Sequence, residues 1–447
     1  MRNELKQKLI KLSPEVLADA LLEIADIHEL AWYKIHRLVS DRKENGSRFK
    51  NRISELTEGR EYITWRHVSS FAEEIEDLLQ DIGFDQDVSE GFELACAFFR
   101  KDADIFETSD DSGGELGSVF RGPAVELFSY YAKSHSNRKL VLNELIDLLA
   151  NDNYGARDGI LLHAIEYLTE PEMRDLMQIF SDKSDADPKD HRSWRWTVQS
   201  IAEQLRDGPL YEKLVRDSMD GKANSAQIVR IAGVYFSADQ IEKAQALIDT
   251  VSEKETFSAH ERSDLQKKIY EKTGNKFALV NLLHQRLLES ISLRALDELV
   301  IGAGPVTRET YLNEVKTKIE ADPKWSSTAA EFLIDIKDSE SLDQYVKKYA
   351  LQLDEQFYGS LAKVAQFLEA EKKYLSASLA YRALTADILN RGKSKAYGHG
   401  ARYLQDLEKL QNAISDWEQF ESHEVFVSQL RIKHRLKKSF WAQVNND

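Results

Sequence analysis

The chain has 447 residues, of which 42% are hydrophobic and 30% are charged, as in an ordinary folded protein. Its formal charge of −16 opposes general binding to nucleic-acid phosphates, and its single cysteine excludes a disulfide framework or a cysteine-based zinc finger. No stretch approaches the length of a membrane span and no signal-peptide pattern follows Met1, so we expect a cytoplasmic protein with no membrane partner.

Helix-start signals recur along the chain, and apolar residues at helical spacing follow them. The first signal is Ser13-Pro14-Glu15, which places a capping hydroxyl before a proline and an acid in the first turn. Only 7 prolines and 20 glycines interrupt the chain, and no run alternates as a strand does. We therefore predict an almost entirely helical protein, whose first apolar stripe consists of Val16, Ala20, Ile24 and Ile27.

Three polar or glycine-rich stretches predict loops, at residues 108–115, 181–188 and 301–305. The first two divide the chain into an N-terminal helical region (1–108), a middle helical region (119–181) and a region of helical repeats (190–447). Cys96 lies in an apolar run of the first region, which predicts a buried thiol acting as a small hydrophobic side chain.

The loop at Ser109 to Glu115 is a candidate cation site because it contains three acids. It lacks the alternating acids and the distal glutamate of a calcium loop, and no Lys-Ser/Thr follows its glycine pair as in a phosphate loop. We therefore interpret Asp110 and Asp111 as acceptors for turn or helix-start amides.

Two further pairs of side chains are candidate ligand sites. Trp194 and Trp196 could stack on a bound ligand. Trp194, however, lies on a predicted apolar stripe, which favours packing in the core or between repeats. His423 and His434 would bind a metal, but no further ligands lie at close spacing. We expect packed or capping histidines, and neither a metal nor a cofactor.

Pairs of helices separated by short polar breaks recur after about residue 222. The clearest runs from Leu361 to Leu384, where Ala377 and Tyr381 lie one turn apart in the second helix. Such a pair cannot bury its apolar faces alone and must stack on its neighbours. The pattern resembles tetratricopeptide repeats, and it implies an all-α solenoid of antiparallel helix pairs, tetratricopeptide-like in the C-terminal half.

Longer stretches resemble two groups of bacterial proteins. The Ser109–Gly117 loop and residues 228–299 are similar to helical regions that follow SWIM-type zinc fingers, although a single cysteine cannot supply the finger itself. Residues 391–404, 421–426 and 434–441 resemble the closing signature of a bacterial family of unknown function, which usually has alanine where this chain has Gly400. The resemblance implies a bacterial origin and assigns no activity.

Basic residues concentrate near the C-terminus. If residues 393–411 are helical, one face carries Lys395, His399 and Arg402, with Asp406 placed to pair with Arg402. A second basic stripe on a C-terminal helix contains Arg431, Arg435 and Lys438, with Lys437 and Lys433 beside it. These residues either bind an anionic partner or cover acidic helices elsewhere in the protein.

The expected function is that of a non-enzymatic scaffold or adaptor that binds a protein or peptide on a concave surface of first helices. The alternative is a nucleic-acid-associated or other polyanion-binding protein that uses the basic C-terminal helices. An enzyme whose residues assemble from distant repeats remains a third hypothesis, since carboxylates are too numerous for spacing to select a catalytic pair. The candidate anion-binding or partner-binding residues are Lys395, His399, Arg402, Arg431, Arg435, Lys437 and Lys438.

Overall fold

The computed structural model describes residues 2–186, 191–218, 221–252, 255–304, 307–355, 358–392 and 394–445. Within these ranges there is no β-strand, and the backbone pairing between Ile63 and Ser109 is an isolated bridge. Consecutive helices pack against one another in pairs, so the predicted all-α helical-repeat fold is confirmed. The chain divides into two compact units, residues 1–262 and 263–447.

The first unit contains helices α1 to α16, and α17 (Ala259–Thr273) includes the boundary between the units. A π-helical turn at Phe120–Ala124 joins α8 to α9, and a 3-10 turn at Ala164–Glu166 follows α11. The helices are α1 Arg2–Leu9, α2 Pro14–Ile27, α3 Glu29–Val39, α4 Arg42–Thr57, α5 Val68–Ile82, α6 Val88–Phe99, α7 Asp102–Glu107, α8 Glu115–Val119, α9 Val125–Ser134, α10 Arg138–Ala150, α11 Asp158–Leu162, α12 Glu170–Ala186, α13 His191–Gln204, α14 Gly208–Asp217, α15 Ser225–Ser237 and α16 Ile241–Ile248.

An aromatic cluster forms the centre of the first unit. The ring centroids of Phe98 and Phe120 lie 4.9 Å apart, and those of Phe99 and Phe128 lie 6.0 Å apart. Edge and tilted contacts of this kind add to the free energy of burying the rings. The core runs from Phe49 to Ile201 and is continuous across residues 108–119. Whether 1–108 and 119–181 are separate folding regions stays a prediction.

The second unit contains the remaining helices and two 3-10 turns, at Ala350–Glu355 and Ser394–Ala396. Its core runs from Leu283 to Phe440. The helices are α18 Lys276–Glu289, α19 Leu293–Ala303, α20 Arg308–Ala321, α21 Ser327–Asp335, α22 Ser339–Lys348, α23 Tyr358–Ala370, α24 Tyr374–Arg391, α25 Tyr397–Gln411, α26 His423–Lys433 and α27 Lys438–Asn445.

Helix α24 is buried on nearly every side, from Leu375 to Thr385 without interruption. It packs against α22, α23 and α25. A helix that is apolar or small all round must lie inside its domain, since no face is suited to water. The predicted pair at residues 361–384 is confirmed, because α23 and α24 are separated by the three residues 371–373 and Ala377 and Tyr381 are both buried.

Two predicted loops are wrong in part. Helix α12 continues through residues 181–186, where Phe180 and Ser184 are buried in the core, and Asp187 and Pro188 lie outside the described residues. Helix α19 likewise continues to Ala303, so that only Gly304 of the predicted loop is non-helical among the described residues of that stretch. In α12 tertiary packing outweighs weak local helix propensity.

Two interpretations from the first unit agree with the structure. Cys96 is a buried free thiol, and burial strongly raises its pKa, so it remains protonated and inert. Asp111 accepts hydrogen bonds from the amides of Leu116 and Gly117 at 2.8 and 2.9 Å, and Asp110 accepts one from Ser112 at 3.2 Å. These carboxylates therefore satisfy turn and helix-start amides.

Candidate binding surface

Helix α25 presents the first group of predicted site residues. The preceding helix α24 ends at Gly392, whose φ of +66° is a left-handed conformation that glycine adopts without strain. The 3-10 turn at Ser394–Ala396 then leads into α25. A methyl group on Gly400 would lie 3.0 Å from the Phe440 ring, so glycine here permits close packing of α25 on α27. The helix is regular through Gly400.

A surface hollow of about 590 Å³ brings three predicted site residues together. Lys395, His399 and Arg402 form its basic part, and Gln405 and Gln443 supply amide groups, the latter from α27. The three basic side chains are exposed, whereas the opposite stripe of α25, which includes Tyr403 and Leu407, is buried. Within α25 the exposed and buried faces agree with the prediction, whereas Lys395 lies in the 3-10 turn that precedes the helix.

Arg402 is held in position by its neighbour in the hollow. Its Nη2 lies 2.8 Å from Nδ1 of His399, and a guanidinium can only donate, so Nδ1 must accept. The predicted pair between Arg402 and Asp406 is wrong, because Asp406 binds Lys409 at 3.0 Å instead. The guanidinium of Arg402 therefore keeps donors for another group.

The second group of basic residues does not lie on a single helix, which corrects the prediction. Arg431 belongs to α26, Arg435 and Lys437 lie in the turn after it, and Lys438 begins α27. The turn forms although no glycine or proline occurs there, and it coincides with the buried ring of His434.

Aromatic contacts join this group to α25 and α27, the two helices that contribute residues to the hollow. The guanidinium of Arg431 lies 4.7 Å from the centroid of the Trp441 ring in α27. The Nζ of Lys437 lies 3.4 Å from the Tyr397 hydroxyl in the first turn of α25. Such stacking fixes the direction of a cationic side chain without neutralising its charge.

No carboxylate of the described part of the chain lies within 4.0 Å of the basic groups of Lys395, Arg402, Arg431, Arg435, Lys437 or Lys438. Elsewhere in the second unit many cationic side chains are paired, as in Lys347 with Glu418 at 2.7 Å. We call this set of side chains the basic surface; with His399 it consists of Lys395, His399, Arg402, Arg431, Arg435, Lys437 and Lys438.

Two aliphatic side chains are exposed within the basic surface. Ile432 is 73% exposed and Leu436 is 83% exposed, next in sequence to Arg431 and Arg435. Single exposed aliphatic residues are common, but two of them set among unpaired cations make an amphipathic patch. Sequence reasoning missed both residues, although their i, i+4 spacing was readable.

A comparison with protein families identifies the group to which the sequence is related. Residues 3–207 and 169–443 match the sequence model of a family of unknown function, DUF6880, so that the two matches together span nearly the whole chain. The chain belongs to this family. The expected membership of an uncharacterised family is thereby confirmed, and no curated protein matches the sequence.

The structure of this DUF6880 chain contains no cluster of three or more His, Cys, Asp or Glu side chains that could hold a metal ion, within the ranges given above. His423 and His434 are buried apart from any such cluster, and burial lowers the pKa of each.

Trp194 stacks on Phe180 with ring centroids 5.2 Å apart, which agrees with its interpretation as a packing residue. Among the described residues, no helix is both long and apolar enough to cross a bilayer.

A buried cation in the second unit of this DUF6880 chain was not predicted. Arg382 of α24 is 7% exposed, and its guanidinium lies 4.6 Å from the Trp417 ring centroid and 5.0 Å from that of Phe426. Its Nη1 donates to the carbonyl oxygen of Glu421 at 2.7 Å. Burial lowers the pKa of Arg382 to about 10. The sequence did contain a signal for this buried charge, because Arg382 lies in the middle of a helix that is otherwise apolar or small on all sides.

Proposed function

We propose that this chain is a non-enzymatic helical-repeat adaptor that binds an acidic segment of a partner protein on its basic surface. The observation that carries the proposal is the cluster of exposed cations without carboxylate partners in the described chain, within a protein whose net charge is −16. Unpaired charge of one sign raises the local concentration of oppositely charged partners and orients them as they approach.

A peptide fits this surface better than a nucleic acid. Ile432 and Leu436 offer apolar contacts that a phosphate backbone does not need, whereas an acidic segment with aliphatic side chains would use both parts of the patch. The hollow at Lys395, His399 and Arg402 would take a carboxylate of the same segment. The overall negative charge weakens long-range attraction to nucleic acid.

The helix pairs have a feature in common that bears on the type of repeat. We propose that the helix pairs are tetratricopeptide-like, that the partner also contacts a concave surface of their first helices, and that the protein works in the bacterial cytoplasm. Support comes from the pairs α15–α16 and α23–α24, each of which contains a buried tyrosine whose hydroxyl donates to a glutamate, Tyr235 to Glu212 and Tyr381 to Glu369, both at 2.7 Å. We also propose that the Ser109–Gly117 loop and residues 228–299 are related to the helical regions that follow SWIM-type zinc fingers.

The decisive experiment is affinity purification of the full chain from nuclease-treated extracts of the native host. The charge-reversed variant Arg431→Glu/Arg435→Glu is compared with the matched control Lys268→Glu/Lys276→Glu, which changes two other exposed cations by the same total charge. We expect one protein to be retained by the wild type and by the control, and to be lost from the Arg431/Arg435 variant.

Direct binding separates the two kinds of partner. A labelled peptide of alternating Glu and Leu residues and a DNA duplex of equal charge are titrated against each variant by fluorescence anisotropy at physiological salt. We expect the peptide to bind at least about tenfold more tightly than the duplex, and to lose at least about tenfold in affinity on reversal of both arginines. Preferential binding of the duplex, or peptide binding that is unchanged in the variant, would contradict the proposal.

A further inference from the structure

The first two helices of the chain leave their apolar side chains in solvent. Every side chain from Asn3 to Val16 is exposed, and α2 contains no buried residue at all. The predicted stripe of Val16, Ala20, Ile24 and Ile27 therefore does not face the core, and Ile27 is 82% exposed. A helix of 14 residues with this composition is marginal alone, so that an apolar partner surface would stabilise it.

Helix α2 has an acidic stripe beside its apolar one. The carboxylates precede the apolar residues by one position each, and no basic residue occurs in the helix. They are Glu15, Asp19, Glu23 and Asp26. The helix contacts α3 on a different side, where Leu17 and Ala25 are partly buried. Its free face is thus an apolar strip with a negative edge.

Helix α1 and the turn after it have the opposite character. Leu5, Leu9 and Leu12 follow one another at helical spacing, and all three are exposed. Lys6, Lys8 and Lys11 surround them, and within the described part of the chain only Lys8 has an acidic partner, Glu4, at 3.3 Å. This is an apolar strip with a positive edge, which complements the free face of α2 in both charge and hydrophobicity.

We propose that two copies of the chain associate through these helices, with α1 of each copy packed on α2 of the other. Helix α1 does not pack on α2 of its own chain, since its side chains from Asn3 to Leu9 are all exposed. In a twofold-symmetric dimer the α1–α2 contact forms twice, and no copy of either helix is left free. If each copy used α1 on one neighbour and α2 on another, the contacts would add further copies without limit. An anionic membrane surface is a poor alternative because it would repel the carboxylates of α2.

Sedimentation velocity and light scattering of the full chain test the association. The protomer mass is 51.3 kDa, and we expect a species of twice that mass at micromolar concentration. Reversal of the positive edge in Lys6→Glu/Lys8→Glu/Lys11→Glu, or of the negative edge in Asp19→Lys/Glu23→Lys/Asp26→Lys, should weaken self-association at least about 100-fold. The control Lys268→Glu/Lys276→Glu, which alters two exposed cations outside both helices and outside the basic surface, should remain dimeric.

Mixing the two reversed variants gives the sharper result, because it distinguishes lost pairing from lost folding. Each variant alone repels itself, but in the mixture both α1–α2 contacts regain opposite charges, and a one-to-one heterodimer should form. A single chain that carries both reversals should again form a homodimer. A wild type that stays monomeric, a mass that grows beyond two copies, or a mixture that fails to associate would each overturn the proposal.

Discussion

Arg157 and Asp102, separated by 55 residues in the chain, form a two-pronged ion pair inside the first unit. Nε of Arg157 lies 2.9 Å from Oδ2 of Asp102 and Nη2 lies 2.6 Å from Oδ1, while Nη1 donates to the carbonyl oxygen of Leu148 at 3.0 Å. Both side chains are buried. The pair therefore connects α7 to the start of α11, and each buried charge is stabilised by the opposite charge of its partner.

Asp102→Ala should leave the buried guanidinium of Arg157 without a counter-charge and lower the free energy of unfolding of the first unit by about 3–5 kcal/mol. The measurement is urea unfolding followed by hydrogen exchange on peptides of that unit. The control is Lys50→Ala, which removes the exposed Lys50–Glu93 pair and should cost less than about 1 kcal/mol. Equal midpoints for the two variants would refute this account of the pair.

Gly91→Ala should destabilise the first unit because a methyl group there would lie 2.3 Å from the ring of Tyr131. That ring is buried, and its hydroxyl donates to the carbonyl oxygen of Gly83 at 2.8 Å, so it cannot move aside freely. We expect a loss of roughly 1–3 kcal/mol.

The matched control for Gly91 is Gly233→Ala, in the interior of α15, where nothing lies within 4 Å of the added methyl group. That substitution should raise stability by about 0.5–1 kcal/mol, since alanine has the higher helix propensity. Thermal unfolding of both variants checks the opposite signs. A shift of the same sign in both would contradict the prediction.

The second unit should lose stability on mild acidification. Burial lowers the pKa of His423, with Arg382 adding to the effect, and burial lowers that of His434, with Lys433 and Lys437 adding. Glu408 and Glu424 oppose the shift of His423. The unfolded chain, with histidine pKa values of about 6.5, then binds more protons than the folded one, so stability falls as the pH decreases below that value.

Removal of the two buried imidazoles should flatten this pH dependence. We expect His423→Gln/His434→Gln to show a smaller drop in urea midpoint between pH 7 and pH 5 than the wild type. An identical pH profile in the variant and the wild type would show that carboxylates alone cause the acid sensitivity.

Arg382→Met should raise the pKa of His423 without a large loss in the free energy of unfolding. Methionine fills the apolar space between Trp417 and Phe426 and removes a buried cation, so the free energy of unfolding should stay within about 1 kcal/mol of the wild type or rise. Loss of the neighbouring charge should raise the pKa of His423 toward its ordinary value.

The readout for Arg382 is the NMR titration of the His423 ring. Arg391→Met serves as the control, because Arg391 is exposed and pairs with Asp387. A His423 titration that is the same in Arg382→Met and Arg391→Met would show that the Arg382 charge does not act on the imidazole.

Local signals in the sequence predicted the features that depend on local chemistry. The polar break between Ala370 and Tyr374 and the acceptor role of Asp111 follow from turn propensity and short-range hydrogen bonds, which a few neighbouring residues decide. The same rules would have found the capping boxes at Asp41 and Asn224, which begin α4 and α15.

The remaining features depend on contacts between distant residues. The polar stretch after Phe180 is helical because Ser184 is buried, and the break after Lys433 coincides with the burial of His434. An apolar stripe does not state which surface will cover it, so the exposure of Ile27 could not be read from periodicity. At the candidate site the residue types were identified, but the distribution of the second basic group over α26, α27 and the turn between them was not.

The enclosure of α24 limits how modular the second unit is. In an open array of repeats, one pair can be exchanged for another because each touches only its neighbours. Here α22, α23 and α25 all lie against one inner helix, so a chimera that replaced a single pair would have to rebuild several interfaces at once. The second unit is therefore best transplanted as one piece that keeps α17 whole, from Ala259 onward.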